Sequence, residues 1–219
     1  MSLGLVATAV AGALAVHAGS SSAASYPIPP PVQGKRALSK KVSGHVTVRR
    51  AGKKTFVDLA PGASVPNGSE INATNGTVVL VVVQQGKRHT VSIAGGEFIF
   101  TQNPHTGRAV FKLALVLTGC LPAQVSGARA VAAAVHKRRP PKRHGPRRRK
   151  ITVSDSGGNF GTLGQYAATS TEGTRWRTSD SCGSSTVTVY RGRVRVKNLV
   201  TGRVITLVVG QHYTAHEHQ

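Results

Sequence analysis

The sequence predicts an all-β domain, and three observations carry that assignment. Apolar and polar residues alternate at a period of two along most of the chain, and turn signals rich in Gly, Asn and Pro recur about every eight to twelve residues. The apolar fraction is 39%, with one Trp, four Tyr and five Phe. A core made mostly of Val, Ala, Leu and Ile suits a thin sandwich or a coiled sheet. Roughly 160 of the 219 residues remain once the ends and a central basic run are set aside, enough for one domain.

Residues 3–16, LGLVATAVAGALAV, form an uncharged apolar run shorter than a comfortable bilayer span, followed by the small, polar HAGSSSAAS. That order is the one expected of a secretory signal, so 1–25 are assigned as a signal peptide. Residues 26–43 read as a Pro-rich basic leader: YPIPPPVQ favours extended polyproline geometry, and Lys35, Arg36, Lys40 and Lys41 add charge.

The first part of the β-domain is assigned to 44–119. His45 to Arg49 and Thr55 to Leu59 alternate around Ala51-Gly52 and predict a hairpin. Asn75-Gly76 predicts a turn, and TVVLVVV (77–83) a strand buried on both faces. Gln85-Gly86-Lys87 predicts a turn into Thr90 to Ile93, and Glu97 to Phe100 and Ala109 to Leu117 predict further strands. An Ala-rich and basic, Pro-rich insertion is expected over 120–156. The second part, 157–215, opens on the Gly-rich SGGNFG; no helix is expected after it, so a phosphate-cradling loop is excluded on context. Tyr166 to Trp176 predicts a strand pair around Glu172-Gly173. Thr186 to Tyr190 and Arg193 to Asn198 predict another around Arg191-Gly192, with Val187, Val189, Val194 and Val196 on one face, and Thr201-Gly202 predicts a turn into a closing strand, Val204 to Val209. Residues 216–219 are left as a tail.

Charge constrains function more sharply than pattern does. The net charge is +22, and removing the nine cations of KRRPPKRHGPRRRK (137–150) still leaves +13 on the other 205 residues. Such a surface attracts anionic polymers through its long-range field. The carboxylate side chains are Asp58, Glu70, Glu97, Asp155, Glu172, Asp180 and Glu217. So few acids argue against glycosidase-type or two-metal catalysis, and a non-enzymatic protein without cofactor is expected.

Five segments in order, GSEINATNGTVVLVV, IAGGEFIF, STEGTRWRT, VTVYRGRVRVKN and GRVITLVVGQHYTA, resemble the bacterial FecR family. The matches fall on Gly68, Ser69 and Ile71; Gly96, Glu97 and Phe100; Gly173, Thr174 and Trp176; Gly192, Val194 and Val196; and Leu207, Gly210 and Gln211. The resemblance implies a single extracytoplasmic FecR-like domain of short antiparallel strands, solenoid-like or sandwich-like, with the basic segment as a linker on its surface. It also implies a binding or signalling module at the cell envelope, since family members relay a signal from an outer receptor to a sigma factor.

Cys120 and Cys182 are the two cysteines, and behind a secretion signal they are expected to form one disulfide. Catalysis by a cysteine with His212 as base has no spacing to support it. His212, His216, Glu217 and His218 near the C-terminus match no closed metal site. Candidate polyanion contacts are Lys137, Arg138, Arg139, Lys142, Arg143, Arg147, Arg148, Arg149 and Lys150 in the run, and Arg193, Arg195 and Lys197 on one strand face. The expected partner is an envelope protein or an anionic polymer of the cell wall. Nucleic acid is a lesser expectation, because no reader motif appears and Trp176 is expected in the core.

Overall fold

The structure is a computed structural model that describes residues 29–118, 120, 148–171 and 173–218. Fifteen strands form among them, and no helix does. The first seven are β1 (Arg36–Arg49), β2 (Val57–Asp58), β3 (Ser64–Pro66), β4 (Glu70–Gln84), β5 (Lys87–Ala94), β6 (Glu97–Gln102) and β7 (Ala109–Leu113). Then come β8 (Arg148–Asp155), β9 (Phe160–Leu163), β10 (Ala167–Thr171) and β11 (Arg175–Ser181). The last four are β12 (Ser184–Arg191), β13 (Arg193–Asn198), β14 (Val204–Val208) and β15 (His212–His216).

All fifteen join in one sheet ordered β14-β13-β10-β9-β7-β6-β4-β5-β8-β11-β12-β15, with β1 alongside β4 and with β2 and β3 on β1. The β7–β9 pair is parallel, and the others are antiparallel. The sheet rolls into a nearly closed barrel with two arms, β6 to β14 and β5 to β15, whose apolar faces meet. Phe98, Phe100, Phe111 and Phe160 supply the first arm's core, and Ile151, Val153, Trp176, Val187 and Val189 the second's. Phe111 meets Phe98 edge-on at 5.6 Å and stacks on Phe160 at 6.3 Å. Between the arms, Trp176 Nε1 donates to Thr162 Oγ1 at 3.1 Å, and that oxygen lies 2.5 Å from Thr178 Oγ1 and 2.7 Å from Thr169 Oγ1. The three threonine hydroxyls and the Trp176 N–H are therefore satisfied, as burial requires.

The pivot between the arms is β4. Its first residues pair with β6 (Ile71 with Phe98) and its last with β5 (Leu80 with Val91), while β1 follows it along the other edge. Asn75-Gly76 lies inside β4 at this change of partner and is not the expected turn. Gly76 sits opposite Gly44, and a Cβ there would come 2.6 Å from the Ser43 carbonyl. The glycine serves a close strand crossing, which looks the same in sequence as a turn. Gly96 is used in the same way: a Cβ there would lie 1.9 Å from the Lys150 carbonyl. The 77–83 run is fully buried on one face only, through Val78, Leu80 and Val82.

Three boundaries differ from expectation because paired backbone outweighs local charge. Residues 36–43, expected as leader, begin β1, with Ala37 and Ser39 buried against β3 and Lys40 and Lys41 pointing to solvent at a bulge. Residues 148–155, assigned to the insertion, form β8 between β5 and β11. Residues 212–215, placed in the domain without an expected strand, form β15, which takes in His216 of the tail and is held to β12 through a 2.9 Å Thr186–Thr214 hydroxyl pair and the buried Ala215.

Two expected hairpins are arches that carry the chain from one arm to the other. β10 pairs with β9 and β13, whereas β11 pairs with β8 and β12. Asp155 holds this crossing. Its carboxylate accepts from the N–H groups of Gly173 at 2.5 Å and Thr174 at 3.2 Å, from the Thr171 and Thr174 hydroxyls, and from Gly157 N at 2.9 Å. Around Arg191-Gly192, β12 and β13 likewise part. The valines expected on one face, Val187, Val189, Val194 and Val196, are all buried, but they enter the core from opposite arms. The hairpins at 45–58, 84–87 and 197–204 form as expected.

Cys120 and Cys182 are bonded, with Cα atoms 5.3 Å apart and a sequence separation of 62. A loop of that length constrains the unfolded chain by about 4 kcal/mol in the loop-entropy account. No helix among the described residues is long and apolar enough to cross a membrane.

Candidate anion-binding face

The alternation of RVRVKN places Val194 and Val196 in the core and Arg193, Arg195 and Lys197 outside. On the outer face these cations stand opposite Val208, Thr206 and Val204 of β14, and Arg195 and Lys197 stand opposite Ser170 and Ala168 of β10. Spacing along a strand separates neighbouring cations by about 7 Å. None of the three makes an ion pair with a described carboxylate.

Two shallow hollows flank Arg195. The larger, about 510 Å³, is lined by Ser170, Thr171, Arg193, Arg195 and Thr206. The smaller, about 240 Å³, includes Arg108, Ser170, Arg195, Lys197 and Val204 in its walls. Arg108 reaches it from the loop before β7, its Nη2 donating to the Thr169 carbonyl at 2.8 Å while its Nε is buried without a partner. The face thus offers four cations, the Ser170 and Thr206 hydroxyls and apolar rims, which suits an extended anionic chain better than a compact ligand. Arg108 was not legible as a site residue, because only tertiary structure brings that loop beside β10.

The central run does not join this face. Lys137, Arg138, Arg139, Lys142, Arg143 and Arg147 lie outside the described residues. Arg148 and Lys150 are exposed on β8, in the opposite arm. Arg149 serves structure instead: its Nε donates to Asp180 Oδ2 at 2.8 Å, and its Nη1 donates to the Leu115 carbonyl at 2.9 Å. The fully buried Asp180 carboxylate is stabilised by this charge, and Arg149 points inward to meet it. On the outer face of this arm Arg175 and Arg177 lie 5.9 and 5.4 Å from the Tyr190 ring centroid. This second basic patch depends on the β11–β12 register, which the sequence does not display.

The remaining acids form one unusual pair. Glu70 and Glu97 are carboxyl neighbours on the outer face where β4 meets β6, with Arg49 hydrogen-bonded to Glu70 and Asn72 Nδ2 donating to Glu97 Oε2 at 3.2 Å. Burial, together with the hydrogen bond and charge of Glu70, pushes Glu97 up to about 7. Burial also acts to raise Glu70, but the hydrogen bond from Glu97 and the Arg49 guanidinium outweigh it and hold Glu70 below its ordinary value. The two carboxyls therefore share one proton near neutrality. No group of three or more metal-ligating side chains occurs among the described residues, and the disulfide leaves neither cysteine as a free thiol.

No protein-family model matches this chain, and neither a curated protein nor a solved structure does.

Proposed function

We propose that this chain is an extracytoplasmic, non-enzymatic binding module of FecR-like build whose ligand is an anionic polymer of the cell envelope. The observation that carries the reading is the row Arg193, Arg195 and Lys197, unpaired with any described acid and bordered by hydroxyl-lined hollows. Cations about 7 Å apart suit a ligand whose charges repeat along an extended chain. The disulfide supports an oxidising compartment. The order of FecR-like segments supports the envelope, and the scarcity of acids supports the absence of catalysis.

The test is salt-dependent binding of an isolated wall teichoic polymer and, in parallel, of single-stranded polythymidylate. Each phosphate neutralised on a single strand contributes about 0.7 to the slope of log affinity against log salt. The triple variant R193Q/R195Q/K197Q should lower that slope by about 2 and weaken binding at low salt, with the fold unchanged by circular dichroism. Equal slopes for the variant and the parent chain would overturn the reading. Preference for teichoic polymer over polythymidylate is expected. Salt-independent capture of one envelope protein would instead favour the signalling role that the resemblance implies.

A further inference from the structure

The basic row has an uncharged neighbour. β14, VITLV, ends the sheet and pairs with β13 alone. Its hairpin closes through Asn198 N–H donating to the Arg203 carbonyl at 2.8 Å. Antiparallel alternation then turns the N–H and C=O groups of Val204, Thr206 and Val208 away from β13. Those of Val208 are satisfied within the chain: Gln211 Oε1 accepts its N–H, and its carbonyl accepts the Gln211 N–H, both at 3.0 Å. The N–H and C=O of Val204 and Thr206 remain, four backbone groups on an edge that is open among the described residues.

Natural sheets protect such edges with charge, proline or a bulge. β14 has none of these, and four of its five residues are β-branched. Val204, Val208 and Val209 are 53%, 41% and 60% exposed. At the other end of the sheet, β15 carries His212 and His216, and its Tyr213 hydroxyl accepts a 2.9 Å bond from Asn198 Nδ2.

We infer that β14 is the interface for a second copy of this chain, the two strands pairing antiparallel about a two-fold axis at Ile205. In that register Val204 of one copy faces Thr206 of the second. The four open groups of each copy are all used, giving four hydrogen bonds across the axis. Ile205, partly buried against the core, meets Ile205 of the second copy at the close, non-hydrogen-bonded position. The Gln211 contacts stay in place.

Charge does not forbid this register. The two basic rows stand three strand spacings apart, about 14 Å, beyond the roughly 8 Å screening length at physiological salt. The dimer therefore tightens as salt rises, the reverse of polymer binding. It also places two basic rows on one continuous outer face, on either side of a Val and Thr band.

Sedimentation of the disulfide-bonded chain over rising concentration tests this at low and high salt. The mass should move toward twice the monomer's, more completely at high salt. Thr206→Pro removes an N–H that has no partner among the described residues, and Val204→Lys puts a charge on the exposed edge; both should hold the chain monomeric with an unchanged circular dichroism spectrum. Thr206→Val should still dimerise. A parent chain that stays monomeric at its highest concentration overturns the inference. So does a folded V204K that dimerises like the parent, which keeps the test decisive if T206P fails to fold.

Discussion

Arg149 and Asp180 lie opposite one another on adjacent strands, and their 2.8 Å ion pair joins the start of β8 to the end of β11. Asp180 is fully buried, and its carboxylate also accepts from Ser185 Oγ at 2.5 Å and from Gln165 N–H at 3.0 Å. The other branch of Arg149 holds the Leu115 carbonyl, so this one side chain ties together the outgoing chain, the returning strand and the arm that carries Cys182.

Removing one partner of that pair strands a buried charge. Arg149→Met should lower stability by about 3 to 5 kcal/mol, read as a fall in the denaturant midpoint. Arg149→Met combined with Asp180→Asn should cost clearly less than the two single changes added together. Additive losses would show that the two groups act independently.

Glu97 gives the stability a defined pH dependence. In the folded chain it keeps its proton to about pH 7, against an ordinary 4.5. The folded state therefore binds more protons than the unfolded state across that interval. Its contribution is whole below pH 4.5 and is lost as pH rises through 7. Solvent screening at this partly exposed pair reduces the effect to the order of 1 kcal/mol. Glu70, held low, acts with the opposite sign, losing its contribution as pH falls below 4.5. Chemical denaturation between pH 5 and 8 should show declining stability for the parent chain and a flatter profile for Glu97→Gln; parallel profiles would rule out the shared proton.

Asp155 holds the β10–β11 arch without a described cationic side chain paired to it, by accepting from backbone and hydroxyl donors. Asp155→Ala leaves the Gly157, Gly173 and Thr174 N–H groups without that acceptor and should cost about 2 to 4 kcal/mol, more than one lost neutral bond. Amide exchange should rise first at Gly173 and Thr174. Uniform acceleration across the sheet would show that the arch is not a separate unit.

The all-β class, the hairpins at 45–58, 84–87 and 197–204, the cysteine pairing and the inward and outward faces of β12 and β13 were legible in the sequence. Each depends on a local rule: side-chain alternation, a two-residue turn, or the count of thiols behind an expected secretion signal. Local rules cannot say which strands pair across distance. Asn75-Gly76 has the composition of a turn and is the pivot of the longest strand, because Gly44, 32 positions earlier, crosses there. Glu172-Gly173 and Arg191-Gly192 look like hairpin turns. They become arches because Asp155 captures one crossing and because the valines beside the other fill a core between two arms. Arg149 belonged by sequence to a solvated basic run, and the buried Asp180 draws it inside. The sequence alone determined the all-β class, most of the strands and the inward and outward faces of β12 and β13. Tertiary structure decided the partner of each strand, and with it which cations share a surface, because pairing follows burial and hydrogen-bond satisfaction across the whole chain.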